Sequence, residues 1–104
     1  MIDVTTENFE AEVIAASMTT PVLVDFWAPW CGPCLQMAPQ FERAAHDLKG
    51  RALLAKVNSD TSPQLSQRYG IRSIPTLLKL QQGREVGRQS GALPAAQIVA
   101  YATR

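Results

Sequence analysis

The tract Pro21–Trp27, PVLVDFW, restricts the possible folds of this chain more than any other segment. It is apolar throughout except for Asp25, and it is rich in β-branched and aromatic side chains. A run of that kind reads as a central strand covered on both faces. Directly behind it the sequence continues APWCGPC, which places the chain's only two cysteines at positions 31 and 34. From Gly32 to Lys49 the apolar residues Leu35, Ala38, Phe41, Ala45 and Leu48 then follow helical spacing, with Gly50 as a stop and Pro39 as a kink. The cysteines therefore fall where a central strand hands over to a helix, the edge at which open α/β sheets place their sites.

The remaining segments fit around that junction. Ile2–Val4 is a short strand, and Thr6 is a cap for a helix that places Phe9, Val13 and Ala16 on one face. Ala52–Asn58 is the next strand. Ser62-Pro63 opens a short helix that closes at Gly70. Thr76–Gln81 and Glu85–Gln89, joined through Gln82-Gly83-Arg84, form a hairpin. Pro94 starts a last helix with Ile98, Val99 and Ala102 turned inward. This pattern predicts one α/β domain over residues 1–104, with a mixed central β-sheet flanked by helices.

At 104 residues such a domain encloses a core without staples. Ten Lys and Arg against nine Asp and Glu leave a net charge of +1, which argues against a nucleic-acid surface and supplies no polybasic membrane patch. No apolar run approaches the roughly 18 residues of a spanning helix. The first residues carry Asp3, Glu7, Glu10 and Glu12 and lack the basic and apolar blocks of a signal peptide. The expected location is the cytoplasm, where a cysteine pair is catalytic or metal-binding more often than structural.

Three readings of Cys31 and Cys34 compete. As a staple, a four-residue loop stabilises by roughly 2 kcal/mol against about 3 for fifteen residues, a poor return. As a metal site, the pair supplies two thiolates where about two more ligands are needed. The only histidine, His46, sits beside Asp47 in the middle of the helical pattern, as a solvated surface residue would, so no metal is expected. As a redox pair, every feature has a use. Cys31 at a helix start meets unpaired N–H groups and the positive end of the dipole, which favour its thiolate. Cys34, one turn inside, is placed to resolve a mixed disulfide. Gly32 permits the tight turn, and Pro33 pre-sets a helical φ where its missing donor has no partner anyway. Asp25 adds a carboxyl in a strand that otherwise reads as buried, where desolvation raises its pKa.

With VDFWAPWCGPC, Ala38-Pro39, KVN at Lys56–Asn58, YGIRSIPTL at Tyr69–Leu77 and Gly91-Ala92 in order, nearly the whole chain resembles the thioredoxin family. DFWAPWCGPC with GIRSIPT is also similar to the second bacterial type, although these residues lack that type's amino-terminal zinc-binding extension. The resemblance implies the thioredoxin fold and a protein disulfide reductase. Cys31 attacks a client disulfide, Cys34 resolves the mixed disulfide, and Asp25 accepts the proton. It implies that Lys56 lies near Asp25 and, with Gly32 and Pro33, tunes the pair. It also implies a cis bond before Pro75, an isomer that only about 5–6% of X–Pro bonds adopt. Trp30, Gly32, Ile74, Pro75 and Gly91 are then the client surface, while Trp27 is core with Asp60 accepting its indole N–H. The implied partners are disulfide-containing client proteins and a thioredoxin reductase, an NADPH-dependent flavoenzyme. The chain is expected to be monomeric and without a cofactor. Leu35, where many members carry Lys or Arg, and Leu80, where phenylalanine is common, depart from the pattern. A thiol oxidase or isomerase, and a binding module whose turnover is incidental, remain as rival readings.

Overall fold

A computed structural model describes residues 1–104. Five strands form one mixed sheet in the order β1-β3-β2-β4-β5: β1 Ile2–Val4, β2 Val22–Trp27, β3 Leu53–Asn58, β4 Thr76–Gln81 and β5 Arg84–Ser90. β3 runs parallel to both β1 and β2, whereas β4 is antiparallel to β2 and to β5. A π-helical stretch, Glu10–Ile14, continues into α1, Ala15–Ser17; α2 covers Gly32–Asp47, α3 Pro63–Tyr69 and α4 Ala95–Thr103. No helix is long and apolar enough to cross a membrane.

β2 is buried on both faces, as is β4 beside it. Val22, Val24 and Phe26 join Phe9, Val13 and Leu65 in the core on the side of the first helix and α3. Leu23 points the other way, into the core made by Met37 and Phe41 of α2 and Leu48 just past its end, with Ile98 and Tyr101 of α4. The strand's period of two then puts Asp25 on the α2 side, and register puts Lys56 of β3 and Leu77 of β4 on either side of it.

Four local readings need correction. Thr6 caps nothing: its backbone N–H goes to Ser62 Oγ (3.3 Å) and its hydroxyl to Gln64 Oε1 (3.2 Å), and the helix starts at Phe9 without a side-chain cap. The first helix is π-wound over most of its length, which apolar spacing does not distinguish from α. The inward stripe of α2 is also rotated from the expected one. Cys34, Met37, Phe41, Ala44 and Leu48 are buried, while Leu35 is 50% exposed. The apolar side chains in this helix outnumber the inward positions, and the handover at Cys31 fixes which stripe faces the sheet. α2 continues through Pro39, whose missing N–H leaves the Leu35 carbonyl without its intrahelical donor. The hairpin turns on two residues, Gln82 (φ 55°) and Gly83 (φ 82°), as a primed turn requires, so β5 already begins at Arg84.

Candidate active site

Cys31 is the residue before α2. Its extended backbone (φ −90°, ψ 109°) turns the chain off β2, and its Sγ accepts the backbone N–H of Cys34 at 3.2 Å. One of the helix's free N–H groups is thus spent on sulfur. The two cysteines form a disulfide with Cα atoms 5.2 Å apart. Cys31 keeps the larger exposure, 5% against 2% for Cys34. Ala28, Trp27 and Ile74 pack around the pair. The Cys31 Sγ lies 3.8 Å from the Ile74 carbonyl oxygen; a disulfide sulfur carries no hydrogen, so this is a contact in the oxidised state and becomes a donor position only for the thiol.

The Ile74–Pro75 bond is cis, as the resemblance implied. Its neighbours are pinned on both sides. The Thr76 hydroxyl donates to the Ser73 carbonyl (2.6 Å), and the Gly91 N–H donates to the Pro75 carbonyl (2.9 Å). Gly91 has φ +94°, which a side chain there would oppose. Gly32 and Pro33 are exposed at the start of α2, and Pro33 sits in its first turn. Trp30 is 71% exposed, with its indole N–H on the Asp60 carboxylate at 3.1 and 3.2 Å. Asp60 therefore serves Trp30 and not Trp27, whose own Nε1 is buried without a partner. The implied pairing fails because Asp60 reaches the outer indole. Between Trp30 and Ile74 runs an open groove of about 340 Å³ that Arg72 and Ser73 also line. Both lie inside the GIRSIPT segment, yet nothing in their residue types alone marks them as groove walls.

Asp25 is 1% exposed and neither of its oxygens has a hydrogen-bond partner in the protein. Burial pushes its carboxyl up to about 7, against the opposing pull of the Lys56 charge. Lys56 is directly opposite on β3, but its ammonium makes no ion pair with Asp25; it lies over the Trp27 ring, 4.5 Å from the centroid. His46 is exposed near the end of α2, and no group of three or more His, Cys, Asp or Glu side chains is placed to hold a metal.

A CxxC disulfide at a helix start, a cis proline whose preceding carbonyl contacts Cys31 Sγ, and a buried carboxyl on the sheet face that α2 covers occur together here. The thioredoxin family model matches residues 1–104. The chain is 46% identical to the thioredoxin of Chlorobaculum thiosulfatiphilum over 92 residues, 88% of this chain and 83% of that protein. It is 47% identical over 91 residues to thioredoxin 1 of Nostoc sp., with the same two shares, and 40% over 94 residues to the thioredoxin of Haemophilus influenzae (90% and 86%). The chain belongs to the thioredoxin family. It is a thiol–disulfide oxidoreductase that works through Cys31 and Cys34, its partners being disulfide-containing client proteins and a thioredoxin reductase.

Proposed function

We propose that each turnover moves two electrons from the Cys31–Cys34 dithiol to a client disulfide, within one thioredoxin domain spanning residues 1–104. The Cys31 thiolate attacks one client sulfur, forming a mixed disulfide and releasing the other client sulfur as a thiolate. Asp25 takes the proton from Cys34. The Cys34 thiolate then attacks Cys31 Sγ, closes the internal disulfide and expels the second client thiolate. The observation that carries this reading is the order of the two sulfurs, the more exposed Cys31 at the cap and Cys34 on the inward stripe of α2. That stripe covers the sheet face bearing Asp25. Burial to a pKa near 7 suits Asp25 to take and return a proton at neutral pH.

The client segment lies across Trp30, Gly32, Ile74, Pro75 and Gly91, with the Ile74 backbone open to strand-like pairing. Gly32, Pro33 and Lys56 tune the couple. The reductase is an NADPH-dependent flavoenzyme, the chain acts as a cytoplasmic monomer, and it binds no cofactor of its own. Insulin reduction with and without such a reductase tests the activity. The order of attack has a sharper test. Cys34→Ser should accumulate mixed disulfides with clients, and Cys31→Ser should capture almost none. The opposite pattern reverses the roles. Binding that survives Cys→Ser at both positions, without turnover mattering to the partner, would favour a docking module.

A further inference from the structure

Register lines up three charged residues across one face of the sheet: Asp3 of β1 opposite Lys56 of β3, and Lys56 opposite Asp25 of β2. Paired residues in register point to the same face, so one ammonium stands between two carboxylates. The exposed Asp3 is the easier partner because pairing there leaves the cation in water. Yet Lys56 forms an ion pair with neither aspartate, and its Nζ lies 4.5 Å over the ring of Trp27. Trp27 is two residues beyond Asp25 on the same strand face, and it packs against the Ala28, Cys31 and Cys34 cluster. The ring thus keeps the cation at the cysteine end of the row, away from the β1 edge.

We propose that Trp27 is a positioning residue whose indole face holds the Lys56 ammonium beside Asp25 and the cysteine pair, against the competing carboxylate of Asp3. The charged and titratable groups around Asp25 are few. β3 presents Lys56, and Asp3 lies one strand beyond it. β4 presents Leu77, Cys34 of α2 is tied up in the disulfide, and Asp60 is occupied by Trp30. Lys56 is the one charge that acts on Asp25 appreciably. Burial sets most of the Asp25 shift, and where the Lys56 ammonium rests adjusts how readily Asp25 gives up its proton. An indole face attracts an ammonium more strongly than a benzene ring does, and an aliphatic side chain does not attract it at all. Trp27 acts on the chemistry through Lys56 and does not touch the reacting atoms by this route.

This inference rests on Asp25 being the proton acceptor, so the test reads Asp25 directly. Its carboxyl carbon is titrated by NMR in the oxidised full chain. Trp27→Leu should raise the midpoint by about half a pH unit, roughly a threefold change in the protonation equilibrium. Trp27→Phe should raise it by less, and Trp27→Leu should add nothing in a Lys56→Met background. An equal shift with and without Lys56 would mean that Trp27 acts by packing alone, and overturn the proposal. If Trp27→Leu does not fold, Asp3→Asn serves instead. It should lower the Asp25 midpoint more in Trp27→Phe than in the wild type, and equal lowering overturns the proposal. A midpoint that moves as expected while client release does not change supports the placement of Lys56 and removes Asp25 from the acceptor role.

Discussion

Asp25 is a cost to the fold, because its carboxyl is buried without a partner. Its carboxyl ordinarily titrates near 3.8 and is held at about 7 in the fold, chiefly by burial. Between those values the folded state carries a proton that the unfolded state has lost, so stability falls as pH rises through that window. The loss is absent below about pH 4, where both states are protonated, and complete above about pH 7. Three units correspond to a ceiling of about 4 kcal/mol. Asp25→Asn removes the titration but leaves an amide with no partner for its polar atoms, which returns part of the gain. The variant should therefore be more stable than wild type by about 1–2 kcal/mol at pH 8 and no more stable at pH 4. Denaturant unfolding at the two pH values checks this, and a gain that does not depend on pH would place the titrating group elsewhere. The residue type and its apolar neighbours made the raised pKa legible in the sequence. That the Lys56 ammonium rests over an aromatic ring and forms no ion pair with the carboxylate was not, because a residue's charge says nothing about which neighbour its head group will face.

At the scale of elements, α2 joins the redox pair to the core, and its phase was the main thing the sequence left open. Apolar spacing located the helix and both of its ends to within a residue or two, yet it pointed Leu35 inward. Cys34 and Met37 take the inward places instead. Leu35 stands exposed one turn beyond Cys31, with its backbone N–H on the Cys31 carbonyl at 3.1 Å. Leu35→Lys then tests what charge at that place does. A cation in the first turn opposes the helix dipole, but it does so equally in both redox states and cancels from the potential. What remains is its attraction for the Cys31 thiolate, which stabilises the reduced form and makes the couple more oxidising. At an exposed site this is worth under about 1 kcal/mol, or at most roughly 20 mV for two electrons. Equilibration against a thiol–disulfide buffer of known potential measures it. A shift toward more reducing values would show that position 35 acts through something other than its charge. The hairpin was easier to read than this helix, because Gly83 declares a turn by itself, whereas helical phase depends on what the other face meets.

The whole molecule is a sheet between two cores, and its α4 side closes over the hairpin at one tight spot. Gly87 of β5 pairs with Lys79 of β4, and α4 lays Tyr101 above them. Lys79 is 5% exposed and donates to the carbonyls of Tyr101 (3.1 Å) and Arg104 (2.6 Å), so the last turn of α4 is tied to the sheet by a buried cation. Burial and the nearby Arg104 pull its pKa down. Lys79 and Arg104 also lie within 5.7 and 4.9 Å of the Tyr101 ring centre, which leaves the ring little room to swing. A Cβ added at Gly87 would meet the Tyr101 hydroxyl at 2.7 Å but the ring carbon beneath it only at 3.8 Å. Gly87→Ala alone should therefore destabilise by about 1 kcal/mol, the strain of an overpacked contact. In a Tyr101→Phe background the clashing oxygen is gone, the remaining contact is ordinary, and alanine costs less backbone entropy than glycine in a strand. There the same substitution should be neutral or stabilising by up to about 1 kcal/mol. The change of sign across this double-mutant cycle is the measurement, read by denaturant unfolding. Insulin reduction should stay at the wild-type rate in all three variants, because none of the altered atoms lies among the residues packed around the cysteines. The same sign in both backgrounds would mean that the α4 seam yields freely and that the hydroxyl does not set its spacing.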